Sequence, residues 1–140
     1  MLRTLSLLFA LIVSITVHAE FINIGIFASK KVSSFTFSIR AGKYALFTES
    51  GKIKELTSKS TLDIKYTDGF VQVKENGKLI GKYRKVNLMG VGWYNHFMVK
   101  STKPSGLERR YDDNLKIVAQ RNQMQLINNL DLDNYVAGVV

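Results

Sequence analysis

The sequence predicts an α+β fold dominated by short antiparallel strands and hairpins, with the first turns of a helix at its end. Three observations predict it. Leu62-Asp63-Ile64-Lys65-Tyr66 and Phe70-Val71-Gln72-Val73-Lys74 alternate apolar with polar residues, the period of a half-buried strand. Asp68-Gly69 and Asn76-Gly77 follow these runs, and such pairs supply the positive φ angles that tight hairpins demand. Near the end the period changes, and Leu132, Tyr135, Val136 and Val139 fall at the i, i+3, i+4, i+7 spacing of a helix.

Residues 1–19 stand apart. Met1-Leu2-Arg3-Thr4 is a basic start, Leu5 to Val17 an apolar run, and Val17-His18-Ala19 a small-residue cleavage site before Glu20. The run is shorter than the roughly 20 residues that span a bilayer. A signal peptide cleaved after Ala19 is therefore expected, and with it an exported protein. Phe21 to Phe27 reads as a largely buried first strand. Val32 to Ile39 reads as a half-buried strand with Phe35, Phe37 and Ile39 on one face, and Tyr44 to Phe47 as another. Ser50-Gly51 turns before Lys52 to Leu56, and Thr57 to Ser60 is a polar connection. The meander through residues 62–83 follows. Val86 to Met89 and Phe97 to Lys100 are short strands around a Gly90–His96 loop. Lys103-Pro104-Ser105-Gly106 is a turn, and Arg109–Gln120 pairs with Gln123–Asn128. Asp131 then suits a helix N-cap, with Asp133 and Asn134 where the helix dipole favours negative charge and polar groups. The chain stops on Val139-Val140 after about two helical turns, so this domain is expected to be incomplete.

The end of the chain carries a resemblance. Leu130-Asp131-Leu132-Asp133-Asn134-Tyr135-Val136-Ala137-Gly138-Val139-Val140 resembles the Leu-x-Leu-Glu-Asp-Tyr-x-x-Gly-Val-Val signature of the stage II sporulation protein D family, which includes the amidase-enhancer proteins of bacterial cell walls. Upstream, Arg110-Tyr111-Asp112-Asp113-Asn114-Leu115 is similar to the family's Arg-Tyr-Arg-Gly-x-Leu, and Met124 to Asn128 to its strand before the helix. Asp133-Asn134 departs from Glu-Asp, and Asp112-Asp113 from Arg-Gly. The resemblance divides the chain into a β-rich region, residues 20–106, and the start of a sporulation-protein-D-like enzyme domain, residues 107–140.

What the resemblance implies is lytic transglycosylase chemistry on peptidoglycan glycan strands. One Glu would protonate the glycosidic oxygen and then act as base while the muramic 6-hydroxyl closes an anhydro ring. That Glu would lie beyond Val140, so no catalytic residue is expected in these 140 residues. The motif positions are Leu130, Leu132, Tyr135, Gly138, Val139 and Val140. Tyr135 and Val139 would pack the helix on the sheet, and Gly138 would admit a close neighbour. For Tyr135 a plain core role with a bonded hydroxyl is the simpler reading.

Other chemistries find little material. With no cysteine, thiol catalysis, disulfides and thiolate metal sites are excluded. His96 is the single histidine after residue 19, which leaves no multi-histidine metal site, and nothing like Gly-x-Ser-x-Gly accompanies it. No phosphate loop or dinucleotide fingerprint is present, and neither a metal nor a cofactor is expected. Asp68, Asp112 and Asp113 are accounted for by turn chemistry. Trp93 and Tyr94 stay open between core packing and an aromatic platform for sugar rings. The formal charge is +9, and +8 once Arg3 is removed with the leader. In an exported protein such charge points to wall polyanions rather than nucleic acid. Expected partners are peptidoglycan glycan strands, with a wall amidase or anionic wall polymer as further candidates. The competing reading is a non-catalytic basic β-domain that binds the wall or a wall hydrolase.

Overall fold

A computed structural model describes residues 20–139; the expected leader, residues 1–19, and Val140 lie outside the described residues. In chain order the strands are β1 (Phe21–Gly25), β2 (Ser34–Thr48), β3 (Gly51–Leu56), β4 (Thr61–Thr67), β5 (Phe70–Glu75), β6 (Lys78–Tyr83), β7 (Lys85–Lys103), β8 (Ser105–Asp112), β9 (Asn114–Ala119) and β10 (Met124–Asp131). They form one antiparallel sheet of ten strands. The fold is therefore all-β, not the expected α+β: the antiparallel strands hold as read, and the only helix among the described residues is the short terminal α1 (Leu132–Val139), which contacts β10.

Two long strands organise the sheet. β2 and β7 pair along nearly their whole length, from Ser34 opposite Lys103 to Thr48 opposite Val86. The other edge of β2 is shared by β4, on Ser34–Ser38, and β3, on Tyr44–Thr48. The other edge of β7 is shared by β9, on Lys85–Leu88, and β8, on His96–Thr102. The sheet therefore has two halves, and β2 and β7 are the strands that run through both. Both halves feed one buried cluster. Phe35, Phe37, Ile64 and Val73 come from the first half, and Leu46, Leu88, Ile117 and Leu126 from the second. Each such side chain stabilises the fold by about 1.5–3 kcal/mol through removal of apolar area from water. One face of each half is thus apolar, and both faces contribute to the same core.

Several expectations change. β1 is an edge strand, and Phe21 is 52% exposed rather than buried, because β10 flanks it on one side only. The two strands expected at 32–39 and 44–47 are one strand of 15 residues. The Gly90–His96 loop lies within β7, a strand of 19 residues, and survives there only as an outward bulge: residues 92–95 have no partner on β2. The strand expected over Arg109–Gln120 breaks at Asp113, whose φ of 62° cannot continue a strand. Its first half, β8, pairs with β7, and only β9 pairs with β10. The expected division at Leu107 falls inside β8, and residues on both sides share the sheet and the core. The meander holds as read: Asp68-Gly69 and Asn76-Gly77 have φ of 49°, 84°, 48° and 84°.

Long strands can serve both halves only if they bend. The β2–β7 register slips between Ile39 and Ala41 and again between Ala41 and Lys43, and such bulges sharpen strand curvature. Gly42 sits at the corner with φ of 78°, and a Cβ there would run into the Tyr94 carbonyl and the Asn95 side-chain amide. Asn95 fills the corner. Buried at 5% exposure, it accepts from the Lys43 N–H at 3.2 Å and donates from Nδ2 to the Gly92 carbonyl at 3.1 Å. Gly42→Ala should lower unfolding free energy by about 2–3 kcal/mol, combining left-handed strain with the backbone collision. Gly51→Ala, at φ of 100° with no neighbour within 4 Å of the new Cβ, should cost only about 1 kcal/mol. Urea denaturation of the two variants measures the difference.

Candidate functional site

The chain crosses from the first half of the sheet to the second at Asp112-Asp113-Asn114, between β8 and β9. An irregular crossing leaves strand hydrogen bonds unmade, and side chains replace them. The Asp113 N–H donates to the Asn95 carbonyl at 3.0 Å. The Tyr44 hydroxyl donates to the Asp113 carbonyl at 2.6 Å. Buried Asn128 donates from Nδ2 to the Asp112 carbonyl at 2.7 Å and the Asn114 carbonyl at 3.0 Å. Asp113 Oδ2 accepts from the Asp131 N–H at 2.9 Å, which fixes the end of β10. Asn114 Oδ1 accepts from the Gly90 N–H at 2.8 Å.

An amide ladder continues outward, from Asn114 Nδ2 to Asn129 at 3.2 Å and from Asn129 Nδ2 to Asn23 at 2.8 Å. The crossing is thus pinned to β1, β2, β7 and β10 together. Beneath it lies an aromatic cluster: Phe37 stacks on Phe97 at 5.3 Å, Phe97 on Tyr111 at 5.6 Å, and Tyr44 meets both phenylalanines edge-on.

A groove of about 440 Å³ opens above this crossing. Trp93, Asn95, Asn114, Asp113, Asp131 and Asp133 are among its lining residues. Trp93 is 99% exposed and Tyr94 68% exposed, so core packing is excluded for both; the bent backbone of β7 holds them out from the sheet. Asp131 and Asp133, from the start of the terminal motif, line the same groove. Asp131 Oδ1 accepts from the Asp133 N–H at 3.0 Å, the expected helix cap, and Asp133 is exposed in the first turn of α1. Leu130 is buried at the end of β10, and Leu132 is half-buried. Tyr135 is 40% exposed, which corrects the expected core role: the helix contacts β10 without covering this ring. Gly138 and Val139 belong to α1, and Val140 lies outside the described residues.

No family model, curated protein or solved structure matches the chain.

A second feature adjoins the groove. His96 Nδ1 pairs with the Asp112 carboxylate across the β7–β8 ladder. The Tyr94 ring packs edge-on against the imidazole at 4.1 Å, and Trp93, Tyr94, His96 and Asp112 line a small recess. Turn chemistry therefore does not exhaust Asp112, and His96 has the orienting carboxylate its sequence neighbourhood did not reveal. One signal was available. Folding the β7–β8 hairpin about Pro104 sets residue 96 opposite residue 112, the pairing the register shows. Among the described residues no group of three or more metal-ligating side chains is gathered.

Burial, reinforced by the Asp113 and Asp112 carboxylates, pushes the Tyr44 phenol well above the ordinary tyrosine range. The folded protein therefore holds this proton more tightly than the unfolded chain does. Its contribution to stability is complete below the unfolded value of about 10 and is lost as pH rises beyond it. Tyr44→Phe should cost about 1–2 kcal/mol at pH 7 by leaving the Asp113 carbonyl without its donor. The variant should also lose stability less steeply than the parent above about pH 10. Denaturation curves at pH 7 and pH 10.5 test both statements.

Proposed function

We propose that this chain is the glycan-gripping part of an exported peptidoglycan-acting protein of the sporulation protein D and amidase-enhancer type. The observation that carries the reading is Trp93, an indole 99% exposed on a groove that Asp131 and Asp133 of the Leu130–Val140 motif also line. An exposed indole beside a concave polar surface suits the apolar face of a sugar ring, which stacks through its C–H groups while its hydroxyls seek polar partners. The groove supplies such a partner in the exposed carboxylate of Asp133, while the amides of Asn95 and Asn114 beneath it are already bonded within the protein. Carboxylates along this groove disfavour a polyanion, so the neutral backbone of a glycan strand fits it better than teichoic acid or an anionic lipid.

On this reading the resemblance of residues 107–140 supplies the reaction class, lytic cleavage of the glycan strand. The described residues supply substrate grip. The leader expected over residues 1–19 accords with a substrate outside the cytoplasm. Binding to the wall does not depend on cleavage, so it is the property to measure first. Trp93→Ala should weaken co-sedimentation with purified peptidoglycan about tenfold or more, with the unfolding midpoint unchanged because the side chain touches little of the core. Equal retention of parent and variant on the pellet would overturn the reading.

A further inference from the structure

The His96–Asp112 pair has an unfinished side. The Asp112 carboxylate accepts from Nδ1–H, which fixes a proton on that nitrogen; in the neutral imidazole with this tautomer Nε2 is the hydrogen-bond acceptor. Nε2 is buried and has no hydrogen-bond partner. Polar atoms withdrawn from water are almost always paired, and one that is not calls for an explanation. Its surroundings offer one. The recess of about 110 Å³ that His96 lines is shared with Trp93 and Tyr94, and Trp93 also lines the larger groove. Tyr94 packs edge-on against the imidazole yet is 68% exposed, so its ring can turn into solvent without disturbing the core.

We infer that His96 is a ligand-binding residue: with Tyr94 turned aside, its Nε2 accepts a hydrogen bond from a hydroxyl of a sugar ring stacked on Trp93. The inference rests on the glycan reading above and adds an orienting contact to it. Stacking alone holds a ring face but leaves it free to rotate in its plane. A directional acceptor fixed by Asp112 would select which hydroxyl edge faces inward. Asp112 acts here as a positioning residue, holding the tautomer that makes Nε2 an acceptor.

The test uses the N-acetylglucosamine tetramer as a neutral, soluble glycan probe, with Trp93 fluorescence reporting binding and imidazole nitrogen resonances reporting His96. Trp93 is the sole tryptophan, and His96 the sole histidine after residue 19, so both signals are assigned without ambiguity. On saturation the Nε2 resonance should move toward the hydrogen-bonded range while Nδ1 stays protonated. His96→Gln should bind the tetramer about tenfold more weakly, with the Trp93 response at saturation retained.

An unmoved Nε2 resonance in the presence of a full Trp93 response would overturn the role of His96 and leave the glycan reading standing. Equal affinity of His96→Gln and the parent would do the same. No Trp93 response at any tetramer concentration would overturn both. The resonance experiment needs only the parent protein, so it decides the question even if His96→Gln fails to fold.

Discussion

The fold depends on how the chain satisfies its backbone where it leaves one half of the sheet for the other. At Asp112-Asp113-Asn114 the ladder is broken, and three groups from elsewhere stand in for it: the Tyr44 hydroxyl, the Asn95 carbonyl and the Asn128 amide, while the Asn114 side chain in turn accepts from the Gly90 N–H. Each bond is modest by itself, about 0.5–1.5 kcal/mol net, but a buried group left without one costs more than the bond contributes. Tyr44 and Asn95 belong to the bend in β2 and β7, so the crossing and the bend hold each other in place. Neither makes sense alone. A straight β2–β7 pair would carry Asn95 and Tyr44 away from Asp113, and an unpinned crossing would leave the corner glycines without the amide that fills them.

That constraint also explains why a groove exists here. At the bend residues 92–95 of β7 have no partner on β2, so Asn95 can turn inward to fill the corner while its neighbours stand out from the sheet. Trp93 is one of them. The terminal motif joins the same place because the Asp131 N–H is bound by Asp113 and the Leu132 N–H by the Glu20 carbonyl, at 2.9 Å each. Aromatic platform, carboxylate wall and histidine pair are thus brought together by a structural device whose first effect is to close the core.

Much of the local structure was legible from the residues. Asp68-Gly69 and Asn76-Gly77 dictated their turns because few other pairs accept positive φ at both positions, and the Asp131 cap followed from carboxylate chemistry at a helix start. The long strands were not legible. Gly42, Gly90 and Gly92 look like loop punctuation in a linear reading, yet they permit a strand to bend without ending. Phe21 to Phe27 reads as buried because apolar content does not say whether one neighbour or two will cover a strand. Trp93 and Tyr94 were undecidable for a related reason. Their exposure is set by the bend, a property of β2 and β7 together. His96 and Asp112 lie on different strands and become partners only once the hairpin about Pro104 is folded.

Trp93 and Asn95 sit two residues apart on the same bent strand and live under opposite rules. Replacing Asn95 empties the corner that Gly42 and Gly90 were shaped around, so drift at that position is paid for in stability. Trp93 supports nothing beneath it, and its replacement changes only what the surface offers. On the proposed glycan reading, changes at residue 93 would retune the ligand while the architecture stays indifferent, an open site for adaptation on a closed scaffold.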